Sequence, residues 1–224
     1  MGACDLIDAI AVDPGGQYLY VETSLATNDG SQSISVYSVA SGTGVPIRTL
    51  QLPTGPTAGW WDIAADATGN IFVTGEASYP NSVINVYSPD ATGSDAPTRT
   101  ITFESGLTPA GAAVDAKGDI FAMVAIGGST TEWIIEEFAP RADGLASPIN
   151  TINLPWLSEP ISSQWGRVRL DAASNIFASL ALLNINTDLQ TSVIYGFGRT
   201  ATGQAAPTVT ITNDGGGPPF FALN

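Results

Sequence analysis

Histidine is absent from the 224 residues, and that decides most of the chemistry open to the chain. Ser-His-Asp and Cys-His nucleophiles, the usual zinc sets and the ordinary general base near neutral pH all need imidazole. What remains is carboxylate chemistry, with or without a hard cation. Glu136-Glu137 is a tempting acid pair, but neighbours on a strand point to opposite faces. One of the two is therefore expected in solvent and the other partly covered by an adjacent loop. The single cysteine, Cys4, forms neither an internal disulfide nor a thiolate cluster. The residues call for no metal and no cofactor. The other side chains able to form a site are aromatic: five tryptophans, Trp60, Trp61, Trp133, Trp156 and Trp165, with Tyr79.

Where those rings fall depends on a repeat. Asp62-Ile-Ala-Ala-Asp-Ala-Thr-Gly-Asn-Ile-Phe-Val-Thr74 reads as two strands joined by a tight turn. It recurs as Ala9-Ile-Ala-Val-Asp-Pro-Gly-Gly-Gln-Tyr-Leu-Tyr-Val21, Ala112-Ala-Val-Asp-Ala-Lys-Gly-Asp-Ile-Phe-Ala122 and Val168-Arg-Leu-Asp-Ala-Ala-Ser-Asn-Ile-Phe-Ala178. The shared aspartates, Asp13, Asp66, Asp115 and Asp171, are 53, 49 and 56 residues apart, the period of a propeller blade. Each aspartate sits where a type I turn takes a side chain that bonds the backbone ahead of it, and Gly69 takes the positive-φ position that closes the hairpin. These four are read as turn formers, not as metal or catalytic ligands. Asp171-Ala-Ala-Ser174 lacks the glycine, so the pattern specifies its turn least.

A third strand follows each hairpin, as Ile34-Ser-Val-Tyr37, Ile84-Asn-Val-Tyr87, Ile135-Glu-Glu-Phe138 and Ile194-Tyr-Gly-Phe197. A Gly/Ala/Pro-rich connection then ends on Pro46, Pro97, Pro148 or Pro207, and a fourth strand begins at once. Proline there suits an outer edge strand with no partner for the missing N–H. The fold class is therefore all-β: a β-propeller of four four-stranded antiparallel blades. Blades are expected over about 5–53, 57–104, 108–154 and 165–213 of a single domain, 1–224, with inner strands near 9–13, 62–66, 111–115 and 167–171.

The motif Asp66-Ala-Thr-Gly-Asn-Ile-Phe-Val73, followed by Ile84-Asn-Val-Tyr87, resembles the NHL-type repeat. Ala11-Val-Asp-Pro14 with Tyr18-Leu-Tyr-Val21 resembles the related YVTN repeat. The resemblance implies the propeller fold and leaves activity open, since such propellers serve as binding platforms, enzymes and scaffolds. Six-bladed lactonases, similar in fold, hold a divalent ion with Glu, Asn and Asp. The corresponding residue types here are Glu22, Glu76, Asp62 and Asn184, which fall at different places in their repeats and make no constellation.

Inner strands of a propeller run from one face to the other, so fourth-to-first and second-to-third connections share a face. Trp60 and Trp61 before one inner strand, Trp156 and Trp165 in the long connection Leu154–Gly166, Trp133 opening a third strand and Tyr79 all map to that face. They are read as an aromatic-lined binding surface, set against rings that only fill gaps between blades. The long connection is where recognition is expected.

Twenty-one acidic residues against seven basic ones give a net charge of −14. Phosphate backbones demand Lys and Arg, so nucleic acid is a poor partner, and no apolar run reaches the length of a membrane span. The leading reading is a non-catalytic interaction module that meets a protein segment or a glycan. The alternatives are a carboxylate- or metal-dependent hydrolase at the channel and a structural segment of a longer extracellular protein. A secreted or cell-envelope location is favoured over the cytoplasm. Finally, Gly217–Asn224 aligns with Thr108–Asp115, so 218–224 is expected to be a fifth inner strand without a blade. A surplus strand predicts self-association, two chains making eight blades, or a parent with more repeats.

Overall fold

The computed structural model describes residues 5–25, 31–54, 59–78, 81–127, 132–155, 161–184, 186–187 and 190–214. The fifth strand expected over 218–224, with Tyr79 and Trp156, lies outside them. Among the described residues sixteen strands form four sheets, each an antiparallel meander of consecutive strands. Blade 1 is β1 (Asp5–Val12), β2 (Tyr18–Leu25), β3 (Gln32–Ser38) and β4 (Arg48–Gln51). Blade 2 is β5 (Gly59–Ala65), β6 (Ile71–Ser78), β7 (Asn81–Tyr87) and β8 (Arg99–Thr102). Blade 3 is β9 (Leu107–Val114), β10 (Ile120–Ile126), β11 (Glu132–Phe138) and β12 (Asn150–Asn153). Blade 4 is β13 (Ile161–Leu170), β14 (Ile176–Asn184), β15 (Gln190–Phe197) and β16 (Val209–Asp214). The fold class is the one expected, a β-propeller of four four-stranded antiparallel blades.

The chain divides into two compact units, 1–105 with 142–146 and 106–141 with 147–224. In the first, Tyr20, Ile34, Leu50, Ile63, Ile71 and Val83 build a core between blades 1 and 2. In the second, Phe121, Met123, Ile152, Val168, Leu180 and Val193 do the same for blades 3 and 4. Burying each such aliphatic side chain contributes about 1.5–3 kcal/mol, so alternate strand positions suffice to hold blade on blade.

The aspartate turns form as the repeat specifies. In each, the residue three beyond the aspartate donates its N–H to the aspartate carbonyl, at 2.8 Å for Gly16, 3.0 Å for Gly69, 2.9 Å for Gly118 and 2.9 Å for Ser174. The carboxylate accepts from the backbone further on, as Thr68 N–H at 2.8 Å and Asn70 N–H at 3.0 Å do to Asp66 Oδ1. Asp171 keeps the same turn without glycine: Ser174 itself takes φ 60°. The hydrogen bonds from the side chain and then the backbone of Asn175 hold the Asp171 carboxyl below its ordinary value.

Three expectations need correction. The inner strands start earlier than the repeat suggested, and they take Trp60, Trp61 and Trp165 into strands, because pairing with the second strand continues past the repeat. Glu136 and Glu137 are both buried. Glu137 accepts from Arg199 Nη2 at 2.7 Å and Asn150 Nδ2 at 3.2 Å, so neighbouring groups replace the solvent expected for one of them. The fourth strands of blades 1, 2 and 3 are not free edges. Each makes a parallel bridge to the next third-to-fourth connection, Leu50 to Gly93, Ile101 to Gly144 and Ile152 to Gly203.

Candidate functional site

Each inner strand breaks register with its neighbour once, leaving Asp8, Trp61, Ala110 and Gln164 as the extra residues. A bulge of this kind bends a strand and re-aims a side chain. In β5 it does so between two tryptophans. Trp60 stays paired with Gly75, while Trp61 has no opposite residue on β6.

The bulge is clamped. Gln32 of blade 1 accepts the Trp60 N–H on Oε1 at 2.9 Å and donates from Nε2 to the Trp60 carbonyl at 3.1 Å. The Trp60 indole N–H donates to the Pro53 carbonyl at 3.0 Å. The Trp60 ring is buried, lying so close to Gly75 that a Cβ there would sit 2.6 Å from its Cε3. Trp61 is only half-buried, on a backbone that its neighbour has fixed.

Trp133 repeats the Trp60 arrangement in the second unit. It is buried in the core, and a Cβ on Gly166 would lie 2.6 Å from its Cζ3. Trp165 lies on β13 beside that strand's bulge. Of the predicted aromatic residues whose burial is described, then, Trp60 and Trp133 pack their rings against glycines, and Trp61 is the one that is not fully buried. The sequence signal for this difference exists only in retrospect: a glycine lies opposite each buried ring, on another strand.

The acids do not gather. Glu22 and Asp62 are fully buried on β2 and β5, Glu76 is half-buried on β6, and Asn184 ends β14. Among the described residues no group of three His, Cys, Asp or Glu could hold a metal ion.

One charged cluster was not foreseen. Arg199, in the third-to-fourth connection of blade 4, reaches three acids of blade 3. Its Nη2 lies 2.9 Å from Asp119 Oδ2 and 2.7 Å from Glu137 Oε1, and its Nε lies 3.4 Å from Asp115 Oδ2. The guanidinium also stands 4.9 Å from the centre of the Phe121 ring. Desolvation opposes its charge, but the Glu137 hydrogen bond and the fields of Glu137, Asp115 and Asp119 outweigh it and raise the pKa. Arg99 and Asn150 make analogous reaches, donating to the Ala142 and Ala201 carbonyls at 3.0 and 2.9 Å. These are joints between blades.

No family model matches the sequence, and no curated protein does. Three solved structures are similar to it. One is a protein of unknown function from Bacteroides caccae, 12% identical with TM-score 0.47, over 82% of this chain and 58% of that one. A second is the tail fiber of Staphylococcus aureus phage P68, 12% identical with TM-score 0.42, over 89% and 50%. A third is the β-propeller domain of Cps50 (Swd1) from Myceliophteria thermophila, 10% identical with TM-score 0.43, over 84% and 52%. The chain spans roughly half to three fifths of the length of each.

Proposed function

We propose that the chain is a non-catalytic interaction module built from NHL/YVTN-type repeats, and that it binds a protein segment or a glycan at the bulged end of an inner strand. Trp61 carries the reading. Trp61 is partly buried at a β-bulge, and the backbone beside it is pinned by Gln32 from the neighbouring blade. A large apolar face with a polar edge, held rigidly, suits the face of a sugar ring or an extended peptide, because little entropy is lost on binding. In the second unit Trp165 follows the bulged Gln164 of β13 and is paired with Ala181, and we propose it as the second aromatic contact.

The test is a panel of neutral oligosaccharides and of proline- and aromatic-containing peptides, read by tryptophan fluorescence. Trp61→Ala should abolish any response of the first unit and Trp165→Ala any response of the second, with melting unchanged. Trp60→Ala should instead lose about 3–5 kcal/mol of stability, the usual result of truncating a buried tryptophan. Binding that survives both Trp61→Ala and Trp165→Ala in folded protein places the site elsewhere.

A further inference from the structure

The bulge in β5 leaves a slot on one face of blade 2, wholly within the first compact unit. Successive residues of a strand point to alternate faces, and residues opposite each other across a pair share one. Trp60, opposite Gly75, points to the face that packs with Tyr20 and Ile63 in the core of blades 1 and 2. The next pair outward, Gly59 opposite Glu76, therefore points to the other face. The bulged residue folds back over that pair. A Cβ on Gly59 would lie 3.5 Å from Trp61 Nε1 and 3.9 Å from its Cε2. Apart from the chain neighbours of Gly59, no other atom of the described residues would come within 4 Å of it.

Gly59 is thus the floor of the slot, the pyrrole edge of Trp61 one wall and the Glu76 side chain the other. Opposite residues of an antiparallel pair hold their Cβ positions about 4.5–5.5 Å apart, so the glutamate stem rises directly beside the glycine. Gly59, Trp61 and Glu76 are each partly buried, so solvent reaches the slot without filling its surroundings. Among the described residues nothing pairs with the Glu76 carboxylate or hydrogen-bonds to it. Glu137, by contrast, holds Arg199 Nη2 at 2.7 Å. A carboxylate that has lost part of its water and gained no partner favours a charged donor, whose hydrogen bonds are roughly twice as strong as neutral ones.

We infer, on the reading of Trp61 as a binding residue, that the slot takes a cationic side chain of a protein segment, the ammonium of a lysine or the guanidinium of an arginine. Glu76 meets the charge. The indole meets the apolar stem that lysine and arginine both carry, and the glycine floor leaves width for that stem. A neutral sugar would offer Glu76 only uncharged hydroxyl donors, whereas either cation supplies the opposite charge as well. The net charge of −14 acts in the same direction at longer range, drawing basic segments towards the chain and repelling acidic ones.

The test uses the full chain and short peptides, acetylated and amidated at their ends, that carry one lysine or one arginine in an otherwise neutral sequence. Peptides with norleucine or citrulline in that place are the neutral controls, and titration calorimetry reads the affinity. The cationic peptides should bind on the order of tenfold more tightly than their controls. Glu76→Gln, which keeps the shape and removes the charge, should erase that preference. Gly59→Leu should fill the slot and block binding in protein that melts like the parent. Cationic and neutral peptides that bind alike, or no heat from either cationic peptide at millimolar concentration, overturn the inference. Neutral oligosaccharides that bind, are lost in Trp61→Ala and are untouched by Glu76→Gln overturn it too, while leaving Trp61 a binding residue. Peptide binding that survives Trp61→Ala overturns the reading of Trp61 itself, and the inference with it.

Discussion

Ser174 holds a conformation that its repeat otherwise gives to glycine, with φ 60° beside 85° at Gly69 and 85° at Gly118. A left-handed non-glycine residue costs roughly 1–2 kcal/mol, while glycine adds about 0.4–1 kcal/mol of entropy to the unfolded chain. Ser174→Gly should therefore stabilise the protein by about 0.5–1 kcal/mol. Gly69→Val should go the other way by about 1–3 kcal/mol, since even a Cβ there meets the Cβ of Pro89 at 3.3 Å. Chemical denaturation of the two variants, shifting in opposite directions, checks both. Blade 4 has Arg199 in place of the proline that crowds Gly69 and Gly118, and that substitution leaves room for the serine.

A second side chain sets a pH limit. Burial pushes the Tyr87 phenol up to about 12 from its ordinary 10.0. The native state thus favours the protonated form, so the contribution is complete below pH 10 and declines as pH rises from 10 towards 12. Blades 3 and 4 carry buried Phe138 and Phe197 at the equivalent position, so Tyr87→Phe should fold normally. Its stability advantage over the parent should grow between pH 10 and 12. Parallel stability curves across that range would show that Tyr87 does not govern alkaline unfolding.

At the scale of the elements, what the sequence made legible was local. An aspartate bonding backbone four residues on, or a strand alternating apolar and polar, is written within one turn or one strand. Hence the four hairpins and the third and fourth strands could be read from Asp66-Ala-Thr-Gly69 and Ile84-Asn-Val-Tyr87. The bridging third-to-fourth connection was not read, although Ala-[Ser/Thr/Asp]-Gly-x-x-x-Pro recurs in all four blades, because the strand that Gly93, Gly144 and Gly203 bridge lies in the preceding blade. Trp60 and Trp133 looked like surface rings for the same reason: Gly75 and Gly166, which make room for them, sit on other strands. Arg199 is the strongest of these distant contacts. Removing it leaves Asp115 and Glu137 buried without their cation, so Arg199→Met should cost about 3 kcal/mol. That is the low end for breaking a buried pair, because about a quarter of the arginine side chain is exposed. Thermal melting of Arg199→Met close to the parent would mean that water already serves those carboxylates.

For the whole molecule, the net charge of −14 acts on how copies meet in solution. Like-charged copies repel at long range, and that repulsion is screened beyond about 10 Å at 0.1 M ionic strength. Raising sodium chloride from about 20 to 200 mM shortens the Debye length from roughly 20 to 7 Å. Repulsion between copies should therefore weaken, and the second virial coefficient measured by light scattering should fall. A coefficient that rises with salt would mean that attraction between opposite charges, not the net charge, governs how copies meet.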